Sequence, residues 1–305
     1  MRIWLPYADW PQLLNLPDGM QADVFEGFDT PPASIAEVEL FVMPYLAGTA
    51  PARLMADMPS LRVVQTLSAG VDDVRPLVPE GVTLCNAKGV HDASTAELAV
   101  ALALAALRGI PDHVRAAERG SWVHDTRPSL ADRRVLLVGY GAVGQAVERR
   151  LAGFECEVRR VARRARTGDV PVEPFEALAG LLPWAEVVIL TVPMTDQTRG
   201  LVDARFLAAL PDGALVVNVA RGTVVVTDDL LAEVTSGRLR AALDVTDPEP
   251  LPPDHPLWSA PGVLISPHVG GDTTAFLPRA LRLVEDQLHR YAEGRPLANV
   301  ITAAY

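Results

Sequence analysis

The chain has 305 residues, 49% of them hydrophobic and 21% charged, and a formal net charge of −11 at pH 7. This composition is typical of a globular protein with room for about two domains, and the negative charge argues against nucleic acid or an anionic membrane as a whole-surface partner. Two cysteines, Cys85 and Cys156, make neither a disulfide framework nor a metal cluster of spaced thiols, so we expect a reducing, cytoplasmic location. The sequence shows no cluster of metal ligands, so we expect no metal.

Residues 2–86 alternate short apolar runs with turn-rich or helical connections. The predicted strands cover residues 2–6, 23–26, 40–43, 63–67 and 82–85. The connections between them have lengths that suit crossovers between parallel strands. The pattern therefore predicts a small parallel α/β domain.

A long apolar helix is predicted next. Ser94-Thr95-Ala96-Glu97 matches the capping-box pattern that opens a helix, and the following residues up to Leu107 are apolar on nearly all sides. Such a helix must be buried, either where domains join or in a dimer interface, and its apolar run is too short to span a bilayer. Gly109 and Pro111 predict a kink before the helix continues to Glu118.

Six apolar runs alternate with helical patterns in the rest of the chain. The runs cover residues 135–138, 158–161, 187–192, 215–219, 241–245 and 263–265, and the helical patterns include residues 142–151, 175–182, 204–210 and 228–234. Six strands alternating with helices are the number found in a complete dinucleotide-binding sheet. A last amphipathic helix is predicted at about residues 274–293.

The first strand of this series leads into GYGAVG, in which Gly139, Gly141 and Gly144 form a GxGxxG. Between a strand and a helix, the three glycines permit a tight turn, close approach of the backbone to a pyrophosphate, and close packing of helix on strand. The helix that starts with Ala142 and Val143 adds free N–H groups and a partial positive charge. The turn is therefore predicted to bind a dinucleotide.

Three residues with useful chemistry follow later strands of the same sheet. His268 and Arg221 come after residues 263–265 and 215–219, at the carboxyl ends of strands, where ligands of open α/β sheets bind. A guanidinium there could hold a carboxylate in bidentate fashion, or Arg221 could be an ordinary solvated arginine. Glu249 lies in a proline-rich turn after residues 241–245, and position alone leaves a structural role open for each of the three.

Motifs of one known family run through most of the chain. They are residues 67–72 (LSAGVD), 86–91 (NAKGVH), the GxGxxG, Pro193 with residues 195–201, and residues 218–222 (NVARG), 242–245 (ALDV), 249–252 (EPLP), 255–258 (HPLW) and 266–271 (SPHVGG). In this order they make the chain resemble the D-isomer-specific 2-hydroxyacid dehydrogenase family. The resemblance implies two doubly wound parallel-sheet α/β domains. These are a flavodoxin-like substrate domain of residues 1–95 and 275–305, and an inserted Rossmann dinucleotide-binding domain of residues 96–274.

The resemblance assigns catalysis to Arg221, Glu249 and His268. In the reduction of a small 2-keto acid such as glyoxylate or hydroxypyruvate to the D-2-hydroxy acid, His268 would supply a proton, Glu249 would raise the pKa of that histidine, and Arg221 would polarise the carbonyl. Backbone N–H groups of Ser68, Ala69 and Gly70 resemble the family's carboxylate-binding loop. The candidates to contact the substrate side chain are Tyr45, Leu46, Trp122 and Phe276, for which plain packing is the alternative.

The family pattern also implies an active site in a cleft between the domains and a homodimer formed through the helix that starts near Ser94. Its cofactor contacts, besides the glycine-rich turn, fall on Thr95, Val192, Pro193, Thr198, Ala220, Arg221, Asp244, His268 and Gly270.

The acidic residue that selects NAD about 20 residues beyond the glycines is absent. Residues 158–168 contain no acid, and Arg163, Arg164 and Arg166 occupy this stretch. Arginines there suit the 2′-phosphate of NADP, and the pattern looks like that of NADP-using family members. We therefore expect a preference for NADP(H). NAD(H) stays possible, because a chain that uses arginine for nearly all of its positive charge has arginine clusters anyway.

Two alternatives stay open. A short form of 3-phosphoglycerate dehydrogenase shares the motifs, although the chain ends soon after its last predicted helix and leaves no room for a regulatory domain. A corepressor-like, nucleotide-sensing module would use the same fold without turnover, but Arg221, Glu249 and His268 favour catalysis. The identity of the keto acid stays open, because selectivity for its side chain depends on loops.

Overall fold

The computed structural model describes residues 1–28 and 30–302, which form two compact units. One unit contains Met1–His91 with the chain from Thr274 onward, and the other contains Asp92–Thr273. We call them the five-stranded unit and the seven-stranded unit after their sheets. Every strand pair is parallel, which confirms the predicted class of two parallel-sheet α/β domains.

Helices connect the strands in both units. In the described residues the α-helices are α1 (Trp10–Leu13), α2 (Ala50–Arg53), α3 (Asp92–Arg108), α4 (Ile110–Glu118), α5 (Ala142–Leu151), α6 (Leu178–Leu181), α7 (Ala204–Ala208), α8 (Thr227–Thr235) and α9 (Phe276–Ala292). Short 3₁₀ helices cover Ala33–Glu37, Leu54–Asp57, Arg75–Leu77, Phe175–Ala177, Leu182–Trp184, Gly222–Val224 and Pro256–Trp258.

The sheet of the five-stranded unit has the order β2-β1-β3-β4-β5, which is the flavodoxin-like order. Its strands are β1 (Arg2–Leu5), β2 (Gln21–Val24), β3 (Val38–Val42), β4 (Val63–Gln65) and β5 (Thr83–Cys85). All five predicted strands are therefore confirmed, with bounds that differ by a few residues. The differences arise because backbone pairing, and not hydrophobicity, decides where a strand ends.

Side chains of β1 alternate between two cores of this unit, as the pleat of a strand requires. Ile3 and Leu5 pack in a cluster with Ala280, Val284 and Leu288 of α9. The opposite face carries a second cluster, which contains Trp4, Phe41 and Met55. Full burial of a side chain of this size stabilises the fold by about 1.5–3 kcal/mol. A sheet covered on both faces leaves its strand ends as the place for chemistry.

The sheet of the seven-stranded unit has the order β12-β11-β10-β9-β6-β7-β8, which is the Rossmann order with one further strand. Its strands are β6 (Arg134–Val138), β7 (Glu157–Ala162), β8 (Glu173–Pro174), β9 (Val187–Leu190), β10 (Leu215–Asn218), β11 (Arg240–Leu243) and β12 (Val263–Ile265). Six of them match predicted strands. The seventh, β8, was missed because it has two residues, one of them a proline, which is tolerated only at a sheet edge.

The predicted long helix is confirmed as α3, and it packs against α5 and against the strands β10 and β11. The predicted kink is present, because Gly109 adopts a left-handed conformation and α4 continues at 64° to α3. Ser94, however, does not cap the helix. The helix begins two residues earlier, at Asp92, and the Ser94 hydroxyl lies 2.9 Å from the Thr273 hydroxyl, within hydrogen-bond distance.

No single helix among the described residues combines the length and the apolar composition needed to cross a bilayer. The pair α3 and α4 meets both requirements only when the two helices are counted together across their bend.

Candidate active site

The glycine-rich turn follows β6 and shows why each glycine is needed. Gly139 has φ +102°, and a Cβ there would lie 2.6 Å from the carbonyl carbon of Thr191. A Cβ on Gly144 would collide with the Gly139 carbonyl oxygen. Around Gly141, by contrast, no described atom outside Gly141 and its two chain neighbours lies within 4 Å of the position that a Cβ would take. Internal packing explains the first and third glycines, so the second is open for close approach of a ligand.

The first turn of α5 begins directly after Gly141. In the described part of the chain no side chain caps this helix, and among its first residues Gln145 already donates its N–H to the Gly141 carbonyl at 3.0 Å. The N–H groups of Ala142 and Val143 precede that bond and carry the positive end of the helix dipole. An open glycine next to uncapped N–H groups fits the pyrophosphate of a dinucleotide.

The predicted arginine cluster lies just past β7. Arg163 and Arg164 are exposed and follow Ala162, the last residue of that strand. Arg166 is exposed as well, but its guanidinium carbon lies 5.8 Å from the centroid of the Tyr140 ring. Tyr140 is the residue between Gly139 and Gly141 of the turn. Arg166 therefore lies beside the glycine-rich turn, where its positive charge can be offered to a phosphate.

A carboxylate does lie near this turn, but it is already paired. Glu148 on α5 accepts hydrogen bonds from the Tyr140 hydroxyl and from Arg160, with which it also forms an ion pair. Its charge is therefore balanced inside the unit. Tyr140 was not among the predicted site residues, although its position inside the GxGxxG was a signal for it.

Three charged residues predicted to belong to the site lie at the carboxyl edge of the sheet of this unit. Strands β9 to β12 are neighbours and run parallel, so their carboxyl ends lie along one edge. Arg221 follows β10, Asp244 follows β11 and His268 follows β12. Arg221 and His268 were predicted to follow strands, whereas Asp244 lay inside the predicted strand 241–245 and follows β11 because that strand ends at Leu243.

His268 and Glu249 form a hydrogen-bonded ion pair between Nδ1 and a carboxylate oxygen. Their side chains are 46% and 39% exposed, so a small molecule can reach them. The backbone of His268 is in the left-handed region, with φ +54°, and its N–H donates to the Asp244 carbonyl at 2.8 Å. An unusual backbone conformation that is held by hydrogen bonds is typical of functional positions.

The pair shifts the pKa of both partners. The hydrogen bond that His268 donates to Glu249 raises the pKa of His268 above its ordinary value, although burial opposes the shift. Burial acts to raise the pKa of the Glu249 carboxyl, but its hydrogen bond to His268 and the positive charges of His268 and Arg221 outweigh burial and lower it. The pair therefore favours a protonated imidazole beside an ionised carboxylate.

The backbone on both sides of Arg221 is held by Asn218. The Asn218 side chain accepts from the Ala220 N–H at 3.0 Å and donates to the Arg221 carbonyl at 2.9 Å. The following Gly222 has no room for a Cβ, because the backbone of Thr246 occupies that space. The backbone that carries the Arg221 side chain is therefore held in place, and the positive charge of Arg221 affects the pKa of both Glu249 and His268.

Asp244 is buried and holds the turn that carries His268. Its carboxylate accepts from the Ser266 hydroxyl at 2.6 Å, from the Val269 N–H at 3.0 Å and from the Gly270 N–H at 2.9 Å. A carboxylate has about four acceptor sites, so three are used inside the protein. Asp244 was predicted from the sequence, but Ser266 was missed, although its position between β12 and His268 was a signal for it.

The other residues predicted to contact a cofactor belong to the same unit. Thr198 is buried, and its hydroxyl donates to the Pro193 carbonyl at 2.7 Å, so it braces the loop after β9. The Thr95 side chain lies next to Gly270, 3.4 Å from the position of a Cβ on that glycine. Val192 and Ala220 are buried. No group of three His, Cys, Asp or Glu side chains within residues 1–28 and 30–302 is placed to hold a metal ion.

The predicted substrate-binding residues of the five-stranded unit follow two of its strands. Ser68, Ala69 and Gly70 come after β4 and are half-buried, and Tyr45 and Leu46 come after β3. Tyr45 stacks on His91 and on Phe276, with ring centroids 5.2 and 4.5 Å away, whereas Leu46 is 68% exposed. Trp122, in the other unit, is 95% exposed.

A doubly wound parallel sheet with an open glycine-rich turn and an Arg, Glu and His group at its carboxyl edge defines a dinucleotide-dependent dehydrogenase fold. A family model described as "D-isomer specific 2-hydroxyacid dehydrogenase, NAD binding domain" matches residues 100–270. The chain belongs to this family.

The chain is similar in sequence to named reductases and dehydrogenases, and in fold to a solved reductase. The chain is 34% identical to a glyoxylate reductase/hydroxypyruvate reductase of Mus musculus over 70% of this chain and 69% of that protein. It is 31% identical to a D-3-phosphoglycerate dehydrogenase of Archaeoglobus fulgidus over 79% of this chain but only 47% of that protein. A solved NADPH-dependent glyoxylate/hydroxypyruvate reductase of Sinorhizobium meliloti, in complex with NADP and malonate, has 28% identity and a TM-score of 0.83 over 99% of this chain and 96% of that chain.

Proposed function

We propose that this protein reduces a small 2-keto acid of the glyoxylate or hydroxypyruvate type to the D-2-hydroxy acid with NADPH. The observation that carries the proposal is the His268–Glu249 pair beside Arg221, at the carboxyl edge of a sheet with an open glycine-rich turn. The names of the mouse and Sinorhizobium meliloti proteins support the class of substrate.

His268 is the proton donor in this proposal. Because Nδ1 is bonded to Glu249, Nε2 is the atom that delivers a proton to the keto oxygen. A reduced nicotinamide cofactor, when bound, would supply the hydride for the keto carbon. Glu249 fixes the orientation of the ring and stabilises its protonated form, and in the oxidation direction the neutral imidazole takes the proton back.

Arg221 acts on the same carbonyl through its charge. A guanidinium is always protonated and presents several donors in one plane, so it can contact the carboxylate and the keto oxygen of the substrate together. Negative charge grows on the keto oxygen during reduction, and a fixed positive group stabilises that change. The rigid backbone around Asn218 and Gly222 keeps Arg221 in place without reorganisation.

NADP(H) is the proposed cofactor, with NAD(H) as the weaker one. Gly139, Gly141 and Gly144 with the N–H groups of Ala142 and Val143 would hold the pyrophosphate. Arg163, Arg164 and Arg166 would contact the 2′-phosphate, since Glu148 is already paired. The remaining contacts are proposed for Thr95, Val192, Pro193, Thr198, Ala220, Arg221, Asp244, His268 and Gly270.

The two domains take different roles in this proposal. Residues 96–274 form the dinucleotide-binding domain, and residues 1–95 with 275–305 form the substrate-binding domain. The N–H groups of Ser68, Ala69 and Gly70 bind the substrate carboxylate, and Tyr45 and Leu46 contact the rest of the substrate.

We further infer a homodimer formed through α3 and α4. The segment from α4 onward exposes Ile110, Val114, Trp122 and Val123, with 49%, 53%, 95% and 51% of each residue exposed. Apolar side chains exposed so close together mark an interaction surface, and a second copy of this chain would cover them. Two free cysteines, one of them buried, support a reducing compartment, the cytoplasm.

The test is the consumption of NADPH by the purified chain with a panel of 2-keto acids. The expected result is turnover of glyoxylate and hydroxypyruvate that is lost in His268→Asn. Cofactor binding without turnover of any keto acid would instead support a nucleotide-sensing module. Turnover restricted to phosphohydroxypyruvate would support the phosphoglycerate dehydrogenase alternative.

A further inference from the structure

The loop Ser68–Gly70 lies just past β4. Two side chains from the segment between β5 and α3 hold the carbonyl groups of residues 67 and 69. The Leu67 carbonyl oxygen lies 2.7 Å from Nε2 of His91. The Ala69 carbonyl oxygen accepts from the Asn86 amide at 2.6 Å. Because a carbonyl oxygen can only accept, His91 must carry its proton on Nε2.

The carbonyl between these two is held as well. The Ser68 carbonyl oxygen accepts from the Thr66 hydroxyl at 3.0 Å and from the Ala87 N–H at 2.9 Å. Three consecutive carbonyl groups therefore have partners inside the five-stranded unit. In a regular strand, successive carbonyls would point in alternating directions, so this loop has a backbone conformation imposed by its partners.

In a planar trans peptide the N–H points opposite to the carbonyl of the same peptide group. The carbonyls of residues 67, 68 and 69 are bonded inward, so the N–H groups of Ser68, Ala69 and Gly70 point away from those partners. In the part of the chain that the structure describes, none of these three N–H groups donates to a backbone carbonyl. Successive N–H groups that point to one side form a concave binding site for an anion.

The side chains that brace this loop are themselves fixed. Thr66, Asn86 and His91 are 3%, 5% and 6% exposed. The oxygen of the Asn86 amide accepts from the Lys88 N–H at 3.2 Å, which sets which way the amide faces. The His91 ring is stacked with Tyr45 and Phe276, at interplanar angles of 20° and 10°.

We propose that Asn86, His91 and Thr66 are positioning residues that hold the N–H groups of Ser68–Gly70 as a preformed cradle for the substrate carboxylate. The proposal rests on the proposed function of the chain as a 2-keto acid reductase. A cradle that is held in place before binding does not have to reorganise, so its effect is on the affinity for the carboxylate and not on proton transfer by His268.

The decisive variants are Asn86→Asp and His91→Phe, measured with glyoxylate and with its methyl ester. Asn86→Asp keeps the acceptor for Lys88 but turns a carboxylate oxygen towards the Ala69 carbonyl, and His91→Phe keeps the ring stack but removes the donor to Leu67. We expect KM for glyoxylate to rise about 10–100-fold in Asn86→Asp, with a smaller rise in His91→Phe and kcat changed less than KM. The methyl ester lacks the carboxylate charge, so its kcat/KM should fall much less.

Thr66→Val and His91→Gln complete the series. Thr66→Val should have the smallest effect, because the Ala87 N–H still holds the Ser68 carbonyl. His91→Gln restores a donor near the Leu67 carbonyl and should recover part of the loss seen in His91→Phe. The matched control is Tyr291→Phe, which removes a half-buried hydrogen bond to Glu39 of the same unit and should leave both substrates unchanged.

Several outcomes would overturn the proposal. One is an equal loss with glyoxylate and its ester in Asn86→Asp, because a merely structural effect would weaken both. Another is glyoxylate kinetics like those of Tyr291→Phe in every variant, with turnover intact in the unmodified chain. In that case the proposed function would hold without the cradle.

If the unmodified chain reduces no keto acid, the proposed function fails, and the cradle is judged by oxalate binding to the full chain. In that assay, weaker binding in Asn86→Asp or, if that variant does not fold, in Thr66→Val supports the cradle, and unchanged binding refutes it.

Discussion

The two units of this protein share one architecture and use the carboxyl edges of their sheets in opposite ways. At the edge of the five-stranded unit, buried side chains such as Asn86 and His91 face inward and the backbone offers its N–H groups. At the edge of the seven-stranded unit, the backbone is held by Asn218 and Asp244, and charged side chains face the solvent. A parallel sheet therefore supplies the position for a site, while the residues of its turns decide which chemical groups the site presents.

Replacement of His268 should have the largest effect, because only the seven-stranded edge is expected to take part in proton transfer. We expect His268→Asn to lower kcat for keto acid reduction by about 10²–10⁴-fold, since general acid catalysis contributes on that scale. NADPH affinity, measured by fluorescence titration, should stay within about twofold of the unmodified chain. His255→Asn, at a loop histidine of the same unit, is the control that should keep full activity. A loss of similar size in the control would contradict the assignment.

The second prediction concerns the arginines past β7. In the double variant Arg163→Ala with Arg164→Ala, kcat/KM for NADPH should fall about 10–100-fold, because a hydrogen bond between charged groups contributes about 1.5–3 kcal/mol. The value for NADH should change little, since it lacks the 2′-phosphate. Arg159→Ala, which removes an arginine that lies over the Trp184 ring, is the matched control. Equal losses with both cofactors would show that these arginines do not read the 2′-phosphate.

The third prediction concerns how kcat/KM for keto acid reduction depends on pH. Glu249 raises the pKa of His268, so the rate of keto acid reduction should be highest below that pKa and should fall as the pH rises through it. Glu249→Gln removes the negative charge, lowers the pKa of His268 and moves the fall of kcat/KM to lower pH, with about a tenfold loss of activity at neutral pH. A pH profile of NADPH oxidation measures the shift. An unchanged profile would mean that another group supplies the proton.

The smallest effect is expected at Gly141, and it separates ligand binding from folding. Gly141 has φ −81° and free space around the position of a Cβ, so Gly141→Ala should change the free energy of unfolding by less than about 1 kcal/mol while weakening NADPH binding. Gly139→Ala should destabilise the fold by about 1–3 kcal/mol, because its φ is positive and Thr191 occupies the space. Denaturant unfolding and cofactor titration of both variants provide the test. Normal NADPH affinity in Gly141→Ala would show that the pyrophosphate does not bind against this glycine.

Much of the fold followed from local patterns. Eleven predicted strands appear among the twelve that the structure has in the described residues, because each is a short apolar run between turn signals. The strand β8 was missed because Glu173 and Pro174 have no apolar pattern, and only pairing with the end of β7 makes them a strand. Ser94 was wrongly predicted as a cap, because the helix begins two residues earlier, at Asp92, and the Ser94 hydroxyl lies instead beside that of Thr273, which is distant in sequence.

The site was predicted unevenly. Arg221, Glu249 and His268 stand in motifs that follow strands, so their approximate placement was accessible from the sequence. Three features were not accessible from the sequence. They are the contact between His268 and Glu249, the left-handed backbone of His268, and the three hydrogen bonds that the Asp244 carboxylate accepts. These features depend on where loops from different strands meet.

The sequence by itself determined the two parallel sheets, the glycine-rich turn, the missing acid after β7 and the family, because periodicity and short motifs are local properties of the chain. Only the tertiary structure decided which glycine is open to a ligand, which carboxylate is already paired, and which way the peptide groups of residues 67–70 face. The physical reason is that each of these depends on partners such as Thr191, Arg160 and Asn86, which long-range packing brings to the site. A hydrogen bond has a direction, and no one-dimensional pattern records it.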